Sequence, residues 1–170
     1  MRDTTVKLYT FAELSETAQE HALNDLRWAN VEYNWWGDTY DTIRTAGKLL
    51  GLEIGDIHFD TDLYCMFDAQ YQYVRGAVKS IHAEFPYAPD LHEVARKLQA
   101  LQRRHFYSLS CAVTEGRSVN RYECFRFGED YECDELEDII EDFAHWARIL
   151  LRDDAEYRTS DEAIKEMIVS

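Results

Sequence analysis

Residues 53–73 read EIGDIHFDTDLYCMFDAQYQY. Apolar side chains fall at close to every second position, at Ile54, Ile57 and Phe59, then at Leu63, Cys65, Phe67, Ala69, Tyr71 and Tyr73. Period two sends neighbouring residues to opposite faces of a strand, so two strands are expected, each with one face on a core. Asp60-Thr61-Asp62 separates them as the turn of a β-hairpin, because Asp bonds readily to its own backbone two residues on. The same two carboxylates have the spacing of a weak divalent-cation site, which turn chemistry explains more simply.

A second hairpin is expected further on, with Phe106 to Val113 against Val119 to Phe127 and a turn at Glu115-Gly116-Arg117-Ser118. Arg121, Glu123 and Arg126 point outward, so one face of the sheet should be solvated. Elsewhere the apolar period is three to four. A lead-in strand at Val6–Thr10 and capping-box spacing at Thr10 and Glu13 precede a helix from Ser15 to Asn30, burying Ala18, Ala22, Leu26 and Ala29. The next runs from Trp35 to Leu50, with Trp36, Tyr40, Ile43, Gly47 and Leu50 on one side and Gly51 as its left-handed stop. A short helix spans Gly76 to Phe85; Pro86 and Pro89 then interrupt the chain. Asp90 caps a helix from Leu91 to His105 that buries Leu91, Val94, Ala95, Leu98 and Leu101 and turns Arg96, Lys97, Arg103 and Arg104 outward. Those bases suit the carboxylates of so acidic a chain better than they suit phosphate. A last helix starts at Thr159-Ser160 and ends near Ile168. Together these make an α+β fold in a single domain, an antiparallel sheet of about four strands packed against several helices.

Between the second hairpin and that last helix lies EDYECDELEDIIED, residues 129–142, where nine of fourteen residues are acids. Leu136, Ile139, Ile140, Phe143, Ala147, Leu150 and Leu151 trace the buried stripe of an amphipathic helix. Asp134, Asp138, Glu141 and Asp142 share the other side, where like charges one turn apart oppose helix formation by a few tenths of a kcal/mol per pair. No base follows in the chain until Arg148 and Arg152, so the row is expected to serve something other than stability.

The charge as a whole is −15, and it is uneven: residues 129–170 hold 15 acids and 4 bases, residues 1–128 hold 18 and 14. Such a balance repels nucleic acid and membrane surfaces and favours basic partners. Cys65, Cys111, Cys124 and Cys133 lack CxxC spacing and so announce neither zinc nor a redox pair. No signal peptide or membrane-spanning run is evident, and a soluble protein of the cytoplasm is expected.

Catalytic templates fail. Gly51 and Gly55 lack the rest of a phosphate loop, and Arg96 stands where a zinc-protease helix beginning His92-Glu93 needs its second histidine. No enzyme, no cofactor and no metal is expected.

LYTFAELSETAQEHAL at 8–23, Tyr33-Asn34-Trp35-Trp36, LQALQRRHFYSL at 98–109 and DFAHWARILLRDDAEYRTSDEAI at 142–164 together resemble a family of small bacteriophage and prophage proteins, some labelled antitoxin-like. The chain departs from those relatives in its short Asp60-Thr61-Asp62 turn and in stopping at Ser170. The resemblance brings no catalytic residues; it implies a mobile element within a bacterial cell. In that setting the expected function is anti-defence, as an anti-CRISPR or antirestriction protein. Glu129, Asp130, Glu132, Asp134, Glu135, Asp138, Glu141 and Asp142 would stand in for phosphates in a basic nucleic-acid-binding protein or complex of the host. Two alternatives remain: an antitoxin-like or regulatory module binding through Trp35, Trp36 and Tyr40, and a metal-assisted hydrolase using Asp60, Asp62 and Asp68.

Overall fold

The computed structural model describes residues 9–127 and 133–169. The expected hairpin is present: β1 (Leu52–Asp60) runs antiparallel to β2 (Tyr64–Gln72). Asp60 closes it as an Asx turn, its Oδ1 accepting from the amides of Asp62 and Leu63, both at 3.0 Å. The register slips by one residue between Ile54 and Ile57, a bulge that leaves both opposite buried partners, Ala69 and Phe67. With β3 (Ser110–Glu115) and β4 (Tyr122–Arg126) the sheet has order β1-β2-β3-β4, antiparallel throughout. The fold is α+β.

The second hairpin begins later than its sequence pattern implies. Phe106 and Tyr107 are not in a strand; both have left-handed backbones, with φ of 52° and 60°. A buried glutamine imposes this. Gln102 Nε2 donates to the Leu109 carbonyl (2.7 Å) and the Tyr71 hydroxyl (3.1 Å), and its Oε1 accepts from the Leu109 amide (3.2 Å). Its side chain thus takes both backbone groups of Leu109 just before the sheet begins, and the chain must double back to reach it. Arg126 also departs from expectation: it pairs across from Cys111 on the core side, while Phe125, opposite Ala112, takes the solvated face.

The chain divides into two compact units. Trp36–Arg152 holds the sheet, α2 (Gly37–Leu50), α3 (Ala77–Glu84), α4 (Pro89–Arg104) and most of α5 (Asp134–Arg158). Gly51 ends α2 with φ of 91°, and a Cβ there would lie 2.0 Å from the Gln72 carbonyl oxygen. Pro89 opens α4 instead of preceding it, because its missing N–H is no loss in the first turn, and Asp90 is inside the helix, not its cap. Aromatic rings run through the core: Tyr122 to Phe67 (5.1 Å between centroids), Phe67 to Phe143 (5.8 Å), Phe143 to Trp146 (5.5 Å) and Trp146 to Phe85 (6.1 Å).

The other unit combines the chain before Trp36 with that after Arg152. Here α1 spans Glu16–Leu26, shorter than expected, with Ser15 as its cap (Ala18 amide to Oγ, 3.4 Å). The Thr10–Glu13 capping box closes a separate 3-10 turn, Phe11–Glu13. Leu23 is the buried residue of α1, while Leu26 is exposed. The lead-in strand expected at Val6–Thr10 falls mostly outside the described residues. Ser160 caps α6 (Asp161–Val169) by accepting from the Ala163 amide at 3.2 Å. Arg27 joins the pieces, donating to the Thr159 carbonyl (2.9 Å) and the Asp161 carboxylate (2.8 Å), and Asn30 donates to the Arg158 carbonyl (3.2 Å).

Replacing Gln102 by Ala strands two buried backbone groups, each costing about 1–3 kcal/mol. Gln102→Ala is therefore expected to lower unfolding free energy by about 2–4 kcal/mol in urea titration; a loss below about 1 kcal/mol would show that the amide is not what holds the turn.

Candidate functional site

Burial of Leu136, Ile139, Ile140, Phe143, Ala144, Trp146, Ala147 and Leu151 fixes the rotation of α5 and forces its acids to the rim. Leu150, expected in that stripe, is half-buried, and Ala144 and Trp146 take part in its place. Asp134, Glu135, Asp138 and Asp142 are exposed and Glu141 is half-buried. Glu129, Asp130 and Glu132 lie outside the described residues.

Bases distant in the chain meet this row, two of them from α4. Lys97 Nζ meets Asp142 Oδ2 at 2.7 Å, and an Arg104 guanidinium nitrogen contacts Glu135. Arg121, just before β4, places Nη1 3.2 Å from both carboxylate oxygens of Glu141. Glu137 accepts from the Cys124 amide at 2.9 Å. The Lys97 ammonium is held charged beyond its ordinary range, first by the Asp142 hydrogen bond and further by the fields of Asp142, Glu93 and Asp138. Among the described residues, Asp134 and Asp138 make no ion pair, and Asp138 still acts on Lys97. Of the four α4 bases, Lys97 and Arg104 thus complement acids of α5, as the sequence suggested, and Arg96 pairs with Glu93 on its own helix. A cleft of about 220 Å³ lies there, lined by Asp90, Glu93, Val94, Lys97, Asp142 and His145.

The aromatic alternative also changes. Trp35 is buried, with the Arg158 guanidinium 5.7 Å from its ring. Trp36 and Tyr40 belong to the larger unit, where both pack on Phe59 of β1 (5.6 and 5.8 Å) and the Tyr40 hydroxyl donates to the Ile57 carbonyl at 2.9 Å. Trp35 is thus buried, while Trp36 and Tyr40 are half-buried. Large exposed aromatics stand elsewhere: Trp28 (64%) and Tyr33 (65%) in the smaller unit, Tyr87 and Phe106 (90%) in the larger.

Of the hydrolase carboxylates, Asp60 is occupied by its turn and Asp68 Oδ1 accepts from the Glu115 amide at 3.2 Å. Among the described residues, no three His, Cys, Asp or Glu side chains are grouped to hold a metal ion. No described helix is long and apolar enough to cross a membrane.

A count along the chain alone misses where charge stays unbalanced in the fold. In the smaller unit the described residues hold eleven acids and three bases, a balance of −8 over 44 residues. In the larger unit they hold eighteen and thirteen, a balance of −5 over 112. Two of the smaller unit's three bases, Arg27 and Arg158, are already spoken for by Asp161 and Asp154. The sequence signal was available, but it is split between the two ends of the chain.

A family model for a domain of unknown function, DUF8835, matches residues 35–161. No curated protein and no solved structure matches the chain. The matched stretch contains the whole sheet with α2, α3, α4 and α5, and leaves α1 outside. The chain therefore belongs to the DUF8835 family.

Proposed function

We propose that the protein acts by binding, not by turnover, and that its partner is a basic nucleic-acid-binding protein or complex of a bacterial host that it blocks as an anti-defence factor. The observation carrying this is the −8 balance among the described residues of the smaller unit, where Arg27 and Arg158 already pair with Asp161 and Asp154 while Glu16, Glu20, Asp25 and Glu162 make no ion pair. Trp28 and Tyr33, exposed in the same unit, are residues of the kind that anchor protein interfaces. The phage setting rests on the family resemblance. The α5 row contributes less than its sequence promised, since a partner must first displace Lys97, Arg104 and Arg121.

The test is phage plating on cells armed with a nucleic-acid-cleaving defence system. Expression of the chain is expected to restore plating, and reversal of Glu16, Glu20, Asp25 and Glu162 to Lys to abolish that, with an unchanged circular dichroism spectrum. Reversal of Asp134 and Asp138 should cost less. Affinity for the captured target should fall linearly on a log–log plot against salt, as charge-driven association does. Full protection by the fourfold variant, or affinity indifferent to salt, defeats the reading.

A second reading, the regulatory module with an aromatic contact, is favoured by Phe106. A non-glycine residue in the left-handed region costs about 1–2 kcal/mol, and Phe106 recovers little of that by burial. The Gln102 bonds that impose this backbone also hold the Phe106 ring out where a partner could contact it. Phe106→Gly is expected to raise the thermal midpoint by a few degrees, equivalent to about 1 kcal/mol, while weakening partner binding. A variant no more stable, or one that binds as well, removes this reading.

A further inference from the structure

Where α2 passes into β1 the fold leaves an open cleft of about 660 Å³. Small-molecule sites commonly measure roughly 300–1,000 Å³. Its walls follow from the stop at Gly51, which turns the chain directly from the last turn of α2 into β1, so that helix and strand run back along one another. Ile54 lies against Gly47, where a Cβ would meet its Cδ1 at 2.6 Å, and Arg44 donates to the Gly55 carbonyl at 3.3 Å. Val74, just past β2, closes the end: its Cγ2 lies 3.3 Å from where a Cβ of Gly51 would stand.

The lining divides by chemistry. Leu52 is buried, and Leu49, Ile54 and Val74 line the cleft half-buried, while Arg44 and Lys48 bring two exposed positive charges to it and Glu53 one negative charge. In a chain of net charge −15, a cleft where bases outnumber acids is the exception. Among the described residues neither Arg44 nor Lys48 makes an ion pair, although they stand one turn apart on α2, where like charges work against the helix. Their place near the end of α2 suits the helix dipole; the apolar side chains beside them do not follow from it. Arg44 is also held in position, with its guanidinium carbon 5.5 Å from the centre of the Tyr40 ring, and its remaining N–H groups are left for a ligand.

We infer that this cleft binds a free fatty carboxylate, with the carboxylate on Arg44 and Lys48 and the hydrocarbon chain over Leu49, Leu52, Ile54 and Val74. A planar carboxylate matches the guanidinium fork, and each methylene laid on the apolar wall leaves water. The methylene stem of Lys48 adds apolar surface close to the head. Glu53 repels in proportion to the head's charge, which favours a monoanion over a phosphate. A cationic amphiphile with the same chain would meet two like charges. The site lies in the larger unit and uses none of the acids of α1 or α6.

The experiment titrates the full isotope-labelled chain with sodium decanoate, kept below its micelle concentration, and follows backbone amide shifts. Saturable shifts centred on Leu49, Leu52, Ile54 and Val74 are expected, with no matching set from decyltrimethylammonium. The double variant Arg44→Gln, Lys48→Gln, changed only at exposed positions, should bind decanoate about tenfold more weakly or worse, as loss of hydrogen bonds to a charged group does. Absence of saturation, saturable shifts elsewhere, or equal binding of the cationic amphiphile overturns the assignment, and all three are read on the unaltered chain. A double variant that binds decanoate as tightly as its parent overturns it as well.

Discussion

The larger unit depends on α5 lying with one face against the sheet. Phe143 is the pivot: its ring meets Phe67 of β2 edge-on at 5.8 Å, and Phe67 in turn meets Tyr122 of β4 at 5.1 Å. Burying such a ring removes roughly 1.5–3 kcal/mol worth of apolar surface from water, and aromatic pairs add about 0.5–1.5 kcal/mol beyond it. With that face committed, helical geometry leaves no choice about the acids. They are delivered to the margin shared with α4, where Lys97 and Arg104 wait about two turns apart. The charge pairing follows from packing; it does not drive it, because exposed ion pairs contribute about 0–1 kcal/mol each.

What was legible in the sequence is what depends on local period. Both hairpins, every helix from α2 to α6 and the left-handed stop at Gly51 come from alternation, three- and four-residue steps, and residue types with conformational preferences of their own. Where sequence reading went astray, a distant partner decided. Phe106-Tyr107 has good strand propensity, yet Gln102 satisfies the Leu109 backbone first and the chain turns there. Arg126 alternates as if exposed, but its register is set by Cys111. Leu23, not Leu26, is the buried residue of α1, and the residues just after the helix are held by the bonds of Arg27 and Asn30.

The candidate site was legible in composition and misread in place. Counting residues 129–170 as one acidic block is correct arithmetic, but the block belongs to two units with different supplies of base. In the larger unit, α4 returns positive charge to the acids of α5. In the smaller unit, α1 and α6 are both acidic, and among the described residues Glu16, Glu20, Asp25 and Glu162 make no ion pair.

That difference governs where a basic partner gains most. Against Glu135, Glu141 and Asp142 of α5 a partner's cation must replace one already present, so the exchange is nearly even: one exposed ion pair is lost for each gained, and few counterions are released. Against the acids of α1 and α6 no such exchange is needed for Glu16, Glu20, Asp25 or Glu162, so every contact formed is a net gain in charge pairing and displaces counterions to bulk. A polyanion mimic is therefore better built from acids the fold has not already answered than from those it lines up most regularly. Regular spacing on a helix sets how the acids line up; residual charge sets what a basic partner would bind.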